Sequence, residues 1–200
     1  AGAAVTYLDA NRDNVVRAAD DSTDWWTTDS YTGDDRWRER PGVWGLSDSD
    51  TTLPPIGSTV SGGEIYQSID SGQSGKDAAA LKITIDDVAA GDNLYVIFWS
   101  DENGSPWSIR AGLDSGNLMT FSPYAGDRYE VAYDSAGRVM WAADLGVVSS
   151  AGSYTIYVDD LPTDDSNNRT WFDGVAAGQI PEPATLALLG LGGLMLRRKR

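Results

Sequence analysis

No cysteine and no histidine occur anywhere in the 200 residues. Without cysteine there is no disulfide framework, so an exported chain of this length must rely on a full hydrophobic core or on bound metal. Without histidine the usual general base is gone. With it go the Ser-His-Asp and Cys-His arrangements and the commonest zinc ligand. Positive charge is scarce too: 15 Lys and Arg stand against 30 Asp and Glu, a net charge of −15. Residues 1–180 carry 11 cations against 29 acids, or −18. Nucleic acid and anionic membranes repel such a surface, which suits a protein facing the outside or one that collects cations. Before residue 180 no segment shows a sustained helical period with caps, which leaves strands.

Strand signals run along the chain. Ala4 to Leu8 and Val15 to Ala18 are short apolar runs parted by Asp and Asn. Residues 20–63 read as irregular, with Trp25, Trp26, Trp37 and Trp44 set among Asp, Ser, Thr and Gly. The large area of an indole makes those four rings plugs for the edge of a core. Glu64 to Ile69 is a further strand. From Ala80 to Asp86, Leu81, Ile83 and Ile85 alternate with Lys82, Thr84 and Asp86, the period of two of a half-buried strand. Ala90-Gly91-Asp92-Asn93 is a turn, and Leu94 to Trp99 is apolar on both faces, as a central strand must be. Asn103-Gly104 marks a hairpin loop over 101–106. Trp107, Ile109, Ala111 and Leu113 alternate with polar residues, and Tyr129 to Tyr133 and Tyr154 to Asp160 are two more strands. Many short strands divided by Gly and Asp turns predict an all-β chain, a jelly-roll-like β-sandwich over residues 1–176.

The acids invite three readings. Asp9, Asn11 and Asp13, with Asp20 as twelfth residue, have the oxygen spacing of a calcium loop, with a backbone carbonyl at Val15. They resemble dockerin and EF-hand loops, departing at Asn14, where those place Gly, and at Asp20, where the EF-hand has Glu. The ion would be structural, pinning the N-terminal strands. The plain alternative is an acidic turn between strands. Asp159, Asp160, Asp164 and Asp165 form a second cluster with poorer spacing and read as a solvated loop. Carboxylate pairs can also run glycoside hydrolysis, but acids are too frequent here for spacing to single out a pair. Trp107 and Tyr124 are candidate rings for stacking on sugars, although a core role for Trp107 fits its phase with Ile109 and Leu113.

The end of the chain is of another kind. Pro181-Glu182-Pro183 precedes thirteen uncharged residues, Ala184 to Leu196, with six leucines and a methionine. Arg197-Arg198-Lys199-Arg200 follows. As a helix, 184–196 spans roughly 20 Å against roughly 30 Å of bilayer hydrocarbon, with the flanking residues at the interfaces. Four cations hold that end in the cytoplasm, which puts the acidic bulk outside. The ordered triple closely resembles the PEP-CTERM sorting signal of Gram-negative bacteria. The resemblance implies export, membrane anchoring through 184–196 before processing, and an exosortase-type enzyme as partner. The two prolines hold the backbone extended and remove amide donors, which suits a segment that a processing enzyme grips.

The body is also similar to the globular part of other PEP-CTERM surface proteins and, more loosely, to galactose-binding-like jelly rolls. The carrying residues are Leu94 to Asp101, Trp107 to Leu113, Ile156 to Asp160 and Asn168 to Val175. The expected organisation is an extracellular sandwich (1–176), a linker with the Pro-Glu-Pro motif (177–183), and a hydrophobic transmembrane helix with a basic tail (184–200). The opening Ala1-Gly2-Ala3-Ala4 looks like the small-residue end of a cleaved leader, and a truncated chain would look the same. The function expected is that of an exported, non-catalytic protein of the cell surface or exopolysaccharide matrix, with glycan as a candidate ligand. The alternative is a secreted carbohydrate-active enzyme using Asp and Glu.

Overall fold

The computed structural model describes residues 5–28, 35–42, 44–68, 77–100, 107–161 and 170–180. Among them the chain is all-β, with fourteen strands in two sheets. The smaller sheet runs β10 (Met119–Phe121), β9 (Ile109–Gly112), β13 (Gly152–Asp159), β7 (Leu81–Val88), β2 (Val15–Arg17). The larger runs β3 (Trp26–Thr27), β4 (Trp37–Pro41), β6 (Glu64–Gln67), β14 (Trp171–Gly178), β8 (Asn93–Ser100), β12 (Val139–Val147), β11 (Arg128–Tyr133), β5 (Ser58–Thr59). β1 (Thr6–Asp9) also pairs with β14, so β14 holds β6 and then β1 along one side and β8 along the other.

The expected alternation explains how the sheets meet. On β7, Leu81, Ile83 and Ile85 are buried and face Val96, Phe98, Phe172 and Val175 of the larger sheet across one core. The turn at Gly91, with φ +93, carries the chain from β7 into β8, from one sheet to the other. β8 is apolar on both faces for a physical reason. Leu94, Val96 and Phe98 fill the inter-sheet core, while Tyr95, Ile97 and Trp99 enter a second core on the outer face. That outer core is roofed by Trp44, Leu46, Leu53 and Val60, by Val5 and Tyr7, and by Ile180. Each large side chain buried there contributes roughly 1.5–3 kcal/mol over an exposed one.

Several expectations need correction. The stretch 20–63 is not irregular throughout: β3, β4 and β5 lie in it, and Trp25, Trp37 and Trp44 are fully buried. β12 and β14 are strands that the sequence pattern does not announce. The sandwich does not stop at 176, since β14 continues through Ala177 and Gly178 and Ile180 is buried under the roof. Trp107 is not in phase with Ile109. It precedes β9 and packs into the outer core, whereas Ile109 faces the inter-sheet core and Leu113 is exposed. No helix among the described residues is long and apolar enough to cross a membrane. The expected helix 184–196, the motif Pro181-Glu182-Pro183, the 101–106 hairpin, Ile69, Asp164 and Asp165 lie outside the described residues.

Candidate functional site

The most unusual residue of β14 is Asp173, an acid inside a strand that is buried along its whole length. The register against β8 shifts between Phe172 and Gly174, so Asp173 sits in a β-bulge. A bulge re-aims the side chain it carries. Phe172 stays in the inter-sheet core, and Asp173 turns under the roof of the outer one. Gly174 is required there, because a Cβ would stand 2.5 Å from the Leu8 carbonyl oxygen and 2.8 Å from the Tyr7 ring.

Three donors converge on Asp173. The Trp99 indole N–H donates to Oδ2 at 2.7 Å and the Tyr7 hydroxyl to Oδ1 at 3.0 Å. The Leu46 amide approaches both oxygens at 3.3 and 3.4 Å. The Tyr7 hydroxyl also lies 2.8 Å from Asp9 Oδ1, so the phenol bridges two carboxyls. Burial pushes the Asp173 carboxyl up to about 7, against the pull of Trp99, Tyr7 and Leu46. Burial, then the neighbouring Asp173, pushes Asp9 up to about 9, with Tyr7 opposing and Asp48 adding to the rise. The Tyr7 phenol is itself raised, by burial and then by the two acids.

Two close approaches bring the roof down onto this knot. Gly45, with φ +102, lies where a Cβ would stand 2.8 Å from the Glu64 carbonyl oxygen. At Gly63 a Cβ would stand 1.9 Å from the Leu46 carbonyl oxygen. Only glycine lets these segments touch. Contact places the Leu46 amide on Asp173 and brings Asp48 beside Asp9 and Glu64. One carboxylate oxygen each of Asp9, Asp48 and Glu64 lies within 4.8 Å of the other two. A shallow groove between Gly42, Ser47, Ser49 and Gly62 opens onto Asp48 and Glu64.

The residues predicted as a calcium loop separate. Asp9 joins Asp48 and Glu64, and Asn11 donates from Nδ2 to Asp48 Oδ1 at 2.7 Å. The side-chain oxygen of Asn11 accepts the amides of Asp13 and Asn14 and so closes the turn on itself. Asp13 is exposed, and Asp20 caps the Ser22 amide at 3.0 Å beyond β2. Neither belongs to a carboxylate cluster among the described residues. The Asp159 and Asp160 pair is no solvated loop. Asp160 is buried, and both cluster with Asp77. Burial raises Asp159 to about 6 against the pull of Arg110, which pairs with it at 2.9 Å.

Of the two candidate stacking rings, Trp107 is buried, with its ring 3.5 Å from that of Trp171. Trp171 in turn packs on Trp44, and Trp44 on Trp99. The Arg138 guanidinium covers Trp44 at 4.2 Å. Tyr124 is 68 % exposed, in the turn between β10 and β11. A second groove, which no spacing in the sequence announces, is lined by Arg12, Thr23, Asp24, Trp26, Thr28 and Arg36. Trp26 is half-buried there, with the Arg12 guanidinium 3.6 Å over its ring and paired with Glu39.

Residues 179–200 match the PEP-CTERM protein-sorting motif. The chain carries a PEP-CTERM sorting signal. The match contains Pro181, Glu182 and Pro183 and begins at Gln179, directly after β14. A PEP-CTERM signal marks an exported protein, anchored in the membrane by its C-terminal end until an exosortase processes it. No curated protein matches the sequence. Among solved structures, a Podospora anserina GH26-CBM35 β-(1,4)-mannanase is similar over 74 % of this chain, with a TM-score of 0.38 and 15 % identity. The chain spans 29 % of that protein.

Proposed function

We propose that this exported protein is non-catalytic, ends at the cell surface or in the exopolysaccharide matrix, and binds glycan through its β-sandwich. The sorting signal at 179–200 carries the reading. The groove beside β3 supports glycan as ligand. It offers an indole with a guanidinium on its face, ringed by the hydroxyls of Thr23 and Thr28. Sugar hydroxyls can meet the Arg12 guanidinium and the Thr hydroxyls, with the part of the indole that Arg12 leaves open as the apolar border. Tyr124 offers a second exposed ring. The non-catalytic reading is supported by where the most perturbed carboxyls lie. Asp9 and Asp173 are under the roof, whereas glycoside hydrolysis needs its two carboxyls flanking a bond in an open cleft.

The test uses the native host and the purified chain. Mass spectrometry of surface material should find a mature form lacking the residues after the Pro-Glu-Pro region, and Glu182→Ala should leave export intact but retain the precursor in the membrane. Mature protein still ending in Arg200 would remove sorting from the reading. In affinity electrophoresis the host exopolysaccharide should retard the wild type and not Trp26→Ala. Release of reducing ends from that polysaccharide, abolished by one carboxylate substitution, would make the protein an enzyme.

A further inference from the structure

Three carboxylates from distant stretches meet beside the polar knot. Asp9 ends β1, Asp48 follows the Gly45 crossing, and Glu64 opens β6, with one oxygen of each within 4.8 Å of the other two. Asp9 is only 3 % exposed. Its Oδ1 takes the Tyr7 hydroxyl, and its Oδ2 is buried with no hydrogen-bond partner. A buried carboxyl oxygen left without a partner beside two more carboxylates is costly unless a cation joins them.

Neighbouring groups orient the three carboxylates. Asp48 accepts from Asn11 Nδ2 at 2.7 Å and Glu64 from the Tyr66 hydroxyl at 3.0 Å, while the Tyr7 hydroxyl that Asp9 shares with Asp173 lies 2.8 Å from Asp9 Oδ1. Outer hydrogen bonds of this kind fix the ligands of metal sites. We propose that Asp9, Asp48 and Glu64 bind one calcium ion. An all-oxygen set in a chain without cysteine or histidine selects a hard cation. With Ca–O distances of about 2.3–2.6 Å, one calcium reaches oxygens up to about 5 Å apart and so can take one oxygen from each of the three. The groove along Ser47 and Gly62 gives the ion and its waters a way in. The ion ties β1, the roof segment and β6 together in a chain that has no disulfide to do so. Asn11 acts on Asp48 rather than on the metal, and Asp13 and Asp20 take no part.

The experiment is thermal unfolding of the full chain in detergent, in 1 mM calcium and in chelator. At a Kd near 10 µM the wild type is expected to melt roughly 5–10 °C higher in calcium. Asp13→Asn/Asp20→Asn should keep that shift, and Asp48→Asn or Glu64→Gln, isosteric changes at the outer side of the site, should lose most of it. Terbium supplies a readout independent of folding variants. Its emission, sensitised through Tyr66 and Trp99, should saturate near one ion per chain and be displaced by calcium. A wild type that melts alike in both buffers, or a shift that survives Asp48→Asn and Glu64→Gln, overturns the assignment. So does terbium emission that never saturates, or a shift lost in Asp13→Asn/Asp20→Asn alone.

Discussion

Replacing Asp173 separates two roles that its carboxyl could have, acceptor and charge. Its donors come from Trp99, Tyr7 and Leu46. In Asp173→Ala the Trp99 and Leu46 donors lose their partner under the roof, and Tyr7 keeps only Asp9. Each orphaned donor costs about 1–3 kcal/mol, so the variant should lose about 2–6 kcal/mol. Asp173→Asn is the informative partner. Its carbonyl can accept from Trp99 and Leu46. Its amide can donate to the Tyr7 oxygen, because Tyr7 has Asp9 as an alternative acceptor at 2.8 Å. The asparagine also removes the cost of burying an anion. The expected loss is therefore under about 1 kcal/mol near neutral pH.

The pH dependence has a definite sign. The folded carboxyl holds its proton to about 7, while the unfolded one releases it near 3.8. Between those values the native state binds the extra proton, so wild-type stability falls as pH rises through that window. Three units correspond to about 4 kcal/mol. Asp173→Asn lacks that slope, so it should be the less stable protein at pH 4 and the equal or more stable one at pH 8. Urea unfolding across that range, in chelator, measures both quantities. If Asp173→Asn is as damaging as Asp173→Ala at pH 8, the knot is held by the charge of Asp173, and its role as a neutral acceptor is refuted.

Three further outcomes are expected. Gly174→Ala forces a methyl against the Leu8 carbonyl and the Tyr7 ring and should cost about 1–3 kcal/mol in denaturant, while Gly116→Ala, whose Cβ meets Asp114 at 3.5 Å, should be neutral. Asp159 is held up to about 6 by burial, so its share of stability falls as pH rises from about 4 to 6; Asp159→Asn should flatten the stability curve there. Trp107→Ala should lose about 3–5 kcal/mol in unfolding experiments and leave glycan retardation unchanged, because its ring packs on Trp171 and not in the groove.

What can be read from the sequence follows how local its cause is. β7 shows its alternation because only one face is buried, and β8 shows none because it lies between two cores. β14 escapes because Trp171 to Gly178 mixes aromatics, small residues and an acid, a pattern with neither period. Its one signal is an acid next to glycine within an apolar run, the mark of a bulge. Spacing groups Asp9 with residues near it in the chain, and the fold gives it other neighbours. Along the chain Asp13 and Asp20 stand beside it, whereas the register of β1 on β14 and the glycine crossings bring Asp48 and Glu64. Trp107 reads as in phase with Ile109, yet alternation holds only within a strand, and β9 begins two residues later.

The same register explains how the body meets its sorting signal. β14 is held by β1 as far as Ala177 and by β8 to its last residue, Gly178. Beyond it, Gln179 donates to the Gly91 carbonyl at 2.7 Å, and Ile180 is buried against the outer core, its amide 3.4 Å from the Tyr95 hydroxyl. The fold is thus fixed two residues into the matched signal, which starts at 179. Only Pro181, Glu182 and Pro183 separate Ile180 from the apolar run. Three residues reach about 10 Å even when fully extended. An enzyme that acts at this motif therefore meets a domain that is folded up to Ile180, three residues before the apolar run. Without cysteine, what keeps the end of β14 in place is the roof above it: Tyr7 and Asp173 in the knot, and Trp44, Trp107 and Trp171 stacked beside it.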